Sequence, residues 1–348
     1  MRQLLISSGS LMASQVLTAG VGFLFWVVAA REFDETAVGF ASASISTMSL
    51  LGAIGTVGMG TLLIREMPLH RGNEHRMLSG ALLLSAVLGG ALGIGFVLVG
   101  PIISNELAPL RTSWPIGGVL VLGSGLTAAA LNMDQALIGM LRSELQLLRN
   151  VVAAIGRLLL LVGAATISIA SGSFSILGAW SFAVAISLLL LAAMAVPRGR
   201  LVRSLPPAWH LLLRLNGRAA LEHHFLNLAI QVPGWMMPLI TLTALSAATN
   251  ARFYLAWMLI GLASFIPAAL TWTLYAAASR DLSALVREGR VTLSISLASA
   301  VASAIVIIVL GRFALAILGP SYTSMADGTL QLLSLTLLPV AIKGHYVT

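Results

Sequence analysis

LEHHFLNLAIQVPGWMMPL, residues 221 to 239, sets Glu222, His223, His224, Asn227 and Gln231 in a stretch that is otherwise apolar, and adds Pro233 and Pro238. At 100° per residue, His224, Asn227, Gln231, Trp235 and Pro238 fall on one face of a helix, with Glu222 nearly opposite. The solvent around that helix decides what such a stripe can do. Composition identifies the solvent: 58% of the chain is hydrophobic, 9% is charged and the mean hydropathy is +0.97. Apolar runs recur that exceed the ~20 residues a helix needs to cross a bilayer. A membrane barrel would instead alternate apolar and polar residues over segments of about ten. The chain therefore reads as an all-α, polytopic membrane helical bundle.

Nine spans follow on the length criterion, at about 4–30, 37–63, 78–103, 114–140, 150–172, 174–195, 220–246, 252–277 and 291–311. A tenth begins near Gly328, but its apolar core, LQLLSLTLLPVAI, is short for a crossing, so the second half is expected to be incomplete in this chain. The N-terminal run imitates a signal peptide, yet it is interrupted by polar residues and leads into further spans, which reads as a retained first helix. There is no cysteine, so disulfides and cysteine-ligated metals are excluded.

The formal net charge of +8 is first a statement about topology. Loops after the even spans carry Arg65, Arg71 and Arg76; Arg142 and Arg149; Arg198, Arg200, Arg203, Arg214 and Arg218; Arg280, Arg287 and Arg290. The alternate loops carry only Arg31, Arg111, Arg252 and Arg312. By the positive-inside rule the even loops and the N-terminus are expected in the cytoplasm. Nucleic acid is not an expected partner; membrane lipids are.

PRGRLVRSLPPAWHLLLRLNGRA, with its prolines and arginines, reads as a basic linker with a short interfacial helix over 197–219. It would separate an N-terminal lobe, 1–196, from a C-terminal lobe, 220–348. The lobes share a layout: TAVGFASA (36–43) and NARFYLAW (250–257) each open a span after a short loop, and VGPIISNELAP has a counterpart in LGPSYTSMAD. Six spans in the first lobe make the repeat parallel, with a pseudo-two-fold along the membrane normal and a site near the midplane between lobes.

On that basis VVAAREFDETAVGFASASISTMSLLGAIGTVGMGTLLIRE (27–66) resembles the start of bacterial polysaccharide-biosynthesis flippases of the Wzx type, within the superfamily of multidrug/oligosaccharidyl-lipid/polysaccharide exporters. HHFLNLAIQVPGWMMPLITLTALSAATNARFYLAWMLI (223–260) is similar to the seventh and eighth spans of the same group. The resemblance implies alternating access for a lipid-linked oligosaccharide, in the bacterial inner membrane, for lipopolysaccharide or O-antigen-type surface polymers. Polysaccharide assembly proteins are further implied partners, and no cofactor is implied.

Two readings of the polar stripes stay open. His224, Asn227 and Gln231 of span seven, Gln15 with Ser7, Ser10 and Ser14 of span one, and Ser42, Ser46 and Ser49 of span two could line a hydrated cleft. Small and hydroxylated residues equally let helices pack closely. Arg65, with Arg31 and Arg252, would stand at a mouth of the cleft, where guanidinium forks suit pyrophosphate oxygens or simply meet headgroups. Asp134 and Arg157 read as charges ~10 Å inside the membrane that form a buried ion pair, with cation coupling or contact to substrate phosphate as the alternative. Glu222 is expected to pair with Arg218 one turn earlier. No catalytic constellation or metal site occurs: DxD, HExxH, P-loop and Gly-x-Ser-x-Gly motifs are missing, so an enzyme is not expected. A cation-coupled drug exporter of the same superfamily and a non-transporting scaffold are the remaining alternatives.

Overall fold

Asp34 accepts a hydrogen bond from the Ala37 amide at 2.7 Å, the N-cap that turns the chain from the first span into the second. From there the computed structural model is helical. It describes residues 2–70, 74–167, 172–195, 217–265, 267–268, 271, 274 and 283–347. In chain order the helices are α1 (Arg2–Glu32), α2 (Glu35–Gly55), α3 (Met59–Glu66), α4 (Glu74–Ile103), α5 (Pro109–Thr112), α6 (Trp114–Gly139), α7 (Ser143–Ile167) and α8 (Gly172–Ala195). They continue as α9 (Gly217–Ala244), α10 (Ala247–Ala263), α11 (Ser283–Leu318), α12 (Gln331–Ser334) and α13 (Leu337–Val347). Among the described residues there is no strand, and seven helices are long and apolar enough to cross a membrane. The expected polytopic helical bundle is the observed fold.

Four spans differ from the hydropathy reading, among them the eighth, which begins at Ala247 instead of 252. The second span breaks at 56–58 into α2 and α3, the fifth begins at Ser143 instead of 150, and the ninth runs from Ser283 to Leu318. Hydropathy marks where a helix is apolar, whereas these helices continue past the apolar core on polar turns. The linker expected at 197–219 lies, as far as residue 216, outside the described residues.

The chain divides into two compact units, Met1–Ala251 and Arg252–Thr348, the division falling inside α10. In the first unit α2 and α6 are central: α6 packs on α2, α3, α4 and α8, and α2 also meets α4, α8 and α9. Small residues make this packing close. A side chain at Gly52 would meet Thr127, one at Gly55 the backbone of Gly89, and one at Gly89 the Ser124 carbonyl. Ser42, Ser44, Ser46 and Thr47 are all buried, and the Thr47 hydroxyl donates to the Ala43 carbonyl at 2.8 Å, so its polarity is absorbed within the helix. Opposite faces are apolar and open: Leu83, Val87 and Ile94 on α4 are exposed, as a lipid-facing surface should be.

In the second unit α11 packs on α12 and α13. Val301, Ile305, Val309 and Phe313 form its exposed apolar face. Phe253 stacks on Trp257 with ring centroids 5.9 Å apart, and the Thr271 hydroxyl lies 3.5 Å from His345 Nδ1.

Candidate functional site

The geometry of the site begins with the break in the second span. Thr56 N–H still bonds back to the Gly52 and Ala53 carbonyls, but Val57 then takes φ 46° and Gly58 φ 74° before α3 resumes at Met59. A β-branched residue in the left-handed region is strained by roughly 1–2 kcal/mol. What the break accommodates is α9: a Cβ on Gly58 would sit 2.6 Å from the Ala220 carbonyl oxygen and 3.2 Å from the His224 Cβ. His224 is 8% exposed, its side chain packed where α9 meets the break between α2 and α3.

The polar stripe of α9 therefore divides. His224 at its start is packed against α2, whereas Asn227 and Gln231, one and two turns further along the same face, are exposed. Trp235 is half-buried, and Pro238 and Thr241 are buried again toward the far end. Both prolines lie inside the helix, and the chain stays helical through them. Glu222, on the opposite side, pairs with Arg218 at 3.0 Å, both side chains being largely exposed.

The other residues singled out from sequence take varied places. Ser42 is wholly buried and Ser49 half-buried, their hydroxyls donating to the Gly39 and Ile45 carbonyls at 3.0 Å each. The side chain of Gln15, like those of Ser7, Ser10 and Ser14, lies outside the described residues. Arg65 is exposed at the end of α3, 3.6 Å from a buried Glu66 that His70 also approaches at 3.5 Å.

The expected Asp134–Arg157 pair is replaced by another. Asp134 is held by Arg149, whose Nε donates to Oδ1 at 2.8 Å while Nη2 bonds to Oδ2; Nη2 also donates to Asn150 Oδ1 at 2.7 Å. Arg157 instead lies over the Trp180 ring at 3.8 Å, its Nε donating to the Ala153 carbonyl. The reason is the early start of α7. Arg149 is already six residues inside the helix that begins at Ser143, ~9 Å along its axis, and so level with Asp134. Arg157 lies a further ~12 Å on and cannot reach.

Sequence reasoning missed Arg149 as a membrane residue, counting it among loop arginines; its exposure of only 5% is what distinguishes it. It also missed Asn132, wholly buried with no partner for either amide atom, and Asn250, a single polar residue at a span start. No group of three or more His, Cys, Asp or Glu able to hold a metal occurs among the described residues. On its α9 face the chain exposes two neutral amides, Asn227 and Gln231.

Comparison with known proteins bears on the fold and the family. No curated protein matches the chain by sequence. Among solved structures, it is similar to an inward-facing multidrug resistance MATE-family transporter of the MOP superfamily, with TM-score 0.68, 16% identity, and 96% of this chain and 79% of that one covered. A MATE protein solved in complex with MaL6 aligns with TM-score 0.64 and 17% identity over 97% of this chain and 81% of that chain. A MOP-superfamily transporter from Pyrococcus furiosus, described as having a binding pocket of reversed polarity, aligns with TM-score 0.52 and 13% identity over 98% and 84%. The fold is thus that of MATE-like transporters. A family model described as polysaccharide biosynthesis protein matches residues 4–212, more than half of the sequence, and the chain belongs to that family.

Proposed function

We propose that this protein carries lipid-linked oligosaccharides across the bacterial inner membrane for surface-polysaccharide assembly, by alternating access and with its N-terminus in the cytoplasm. The observation that carries the reading is the exposed pair Asn227 and Gln231 on the face of α9. Each amide can both donate and accept, which suits sugar hydroxyls, and neither adds a charge that would have to be desolvated. Membership of the polysaccharide biosynthesis family supports the substrate class. Arg65, exposed at the end of α3, would meet a pyrophosphate on a polyprenyl carrier, for which its planar fork is suited. The substrate's lipid tail would remain in the bilayer while the headgroup crosses along the polar face.

A second reading, an exporter of small organic cations, is favoured by the fold likeness to multidrug resistance transporters. Against it stands the pairing of two acidic residues: Asp134 is neutralised by Arg149, and Glu222 is paired with Arg218. Expression in bacteria lacking their own oligosaccharide flippase separates the two. The full chain should restore surface polysaccharide, and N227A/Q231A should lose most of that rescue at equal membrane abundance. Failure of the folded chain to rescue with several donor lipids, together with raised resistance to cationic drugs, would select the exporter. Failure on both counts would leave a scaffold within an assembly complex.

A further inference from the structure

At the end of α2 far from the α3 break, two distant stretches meet without any intervening apolar side chain. Asn250, in the first turn of α10, is 0% exposed; its Nδ2 donates to the Gly39 carbonyl at 2.7 Å and lies 3.1 Å from Ser42 Oγ. The helices approach this closely because residue 39 is glycine: a Cβ there would fall on the Ala247 carbonyl and within 2.9 Å of the Ala251 nitrogen. Beside this contact Glu106 accepts the Ala247 amide proton at 3.1 Å, so its carboxylate caps the start of α10 from another part of the chain. Ser104, whose hydroxyl accepts the Glu106 amide, orients that cap. A cavity of about 240 Å³ borders the contact, lined among others by Thr36, Phe40, Glu106 and Ala247, so that water-sized space reaches the rim of the joint.

We propose that Asn250, seated on Gly39 and Ser42, is a latch that closes the arginine-poor end of the first unit and must break in each transport cycle. This rests on the reading of the protein as an alternating transporter, though not on its substrate. Three features distinguish a latch from permanent packing. The contact joins stretches 211 residues apart in sequence through one side chain. Asn250 Oδ1 is buried with no partner, so the closed state leaves an acceptor dry that opening would hydrate. Further, Gly39 and Asn250 belong to 36–43 and 250–257, which read in the sequence as counterparts, and counterpart elements are those expected near a pseudo-two-fold axis.

The chain has no cysteine, so one introduced thiol reports cleanly. Ser46 shares the face of Gly39 and Ser42 two turns and one turn deeper, and is 7% exposed. The measurement is the rate at which a polar maleimide modifies the S46C thiol in nanodiscs, in wild-type, N250A, S42A and G39A backgrounds. N250A should raise the rate roughly tenfold, as expected for losing a buried side-chain bond that held two states apart. S42A, which keeps one of the two bonds, should raise it less, and G39A should raise it by forcing the Ala247 backbone away. Labelling at the wild-type rate in N250A and G39A, both monodisperse, overturns the latch. If N250A does not accumulate, unchanged labelling in S42A and G39A overturns it equally. The readout needs no substrate: faster labelling with no polysaccharide rescue keeps the latch and removes the flippase reading, and the converse result does the opposite.

Discussion

Asp134 and Arg149 show how much one misplaced helix start changes an electrostatic account. An aspartate inside a membrane helix is expensive alone, and the sequence makes that cost visible without identifying what offsets it. The partner was hidden because Arg149 sits where hydropathy has not yet risen, although the α7 backbone is already helical there. The fork-to-carboxylate geometry satisfies both oxygens, so removing either partner strands a desolvated charge. D134N and R149Q should each lower the thermal midpoint in detergent, by an amount corresponding to ~3–5 kcal/mol. The double variant D134L/R149M should recover most of that loss. R157Q, which leaves Asp134 and Arg149 in place and removes a guanidinium stacked on Trp180, should cost only ~1–2 kcal/mol. Equal losses in R157Q and R149Q would show the pairing described here to be wrong.

Among the elements, α2 departs furthest from a regular span. GTVGMG, residues 55 to 60, is apolar enough to read as unbroken hydropathy, so a sequence profile carries the helix through it. Only backbone angles reveal that the span restarts, and the valine at φ 46° is the strained point. V57G should therefore raise the thermal midpoint by about 1 kcal/mol equivalent, since glycine adopts that angle without a steric penalty. G58A should do the reverse, because the new methyl would press on the Ala220 carbonyl. Scanning fluorimetry of the two purified variants gives the signs; destabilisation of V57G would place the stability of the break in contacts of the valine side chain. Elsewhere the elements were legible because membrane helices announce themselves by length: the ends of α4, α6 and α8 fall close to the expected 78–103, 114–140 and 174–195. Contacts that depend on glycine, such as Gly39 against Ala247, were not, because a missing side chain leaves no pattern along one strand of sequence.

For the whole molecule, the distribution of arginine makes a testable statement about sidedness. Leu69, beyond α3, and Trp114, at the start of α6, are 69% and 85% exposed and lie at opposite ends of the bundle. With the arginine-rich loops in the cytoplasm, an impermeant thiol reagent should modify W114C in intact cells and L69C only after permeabilisation. The opposite pattern would invert the orientation. Fold class and the long spans were open to sequence reading, since the bilayer imposes them on composition. How α9 lies against α2 was not, because helix pairing inside a membrane depends on small-residue fit at positions far apart in the chain.

That arrangement has a mechanical side. His224 lies against the α2 end near Ile54 and Asn250 is hydrogen-bonded to Gly39, fifteen positions apart, which is ~22 Å of helix. If the Asn250 contact opens during transport, two contacts at that spacing act as a lever. A swing of ~10° about the histidine would carry the asparagine ~4 Å from its carbonyl, more than the width of a water molecule, with no helix needing to unwind.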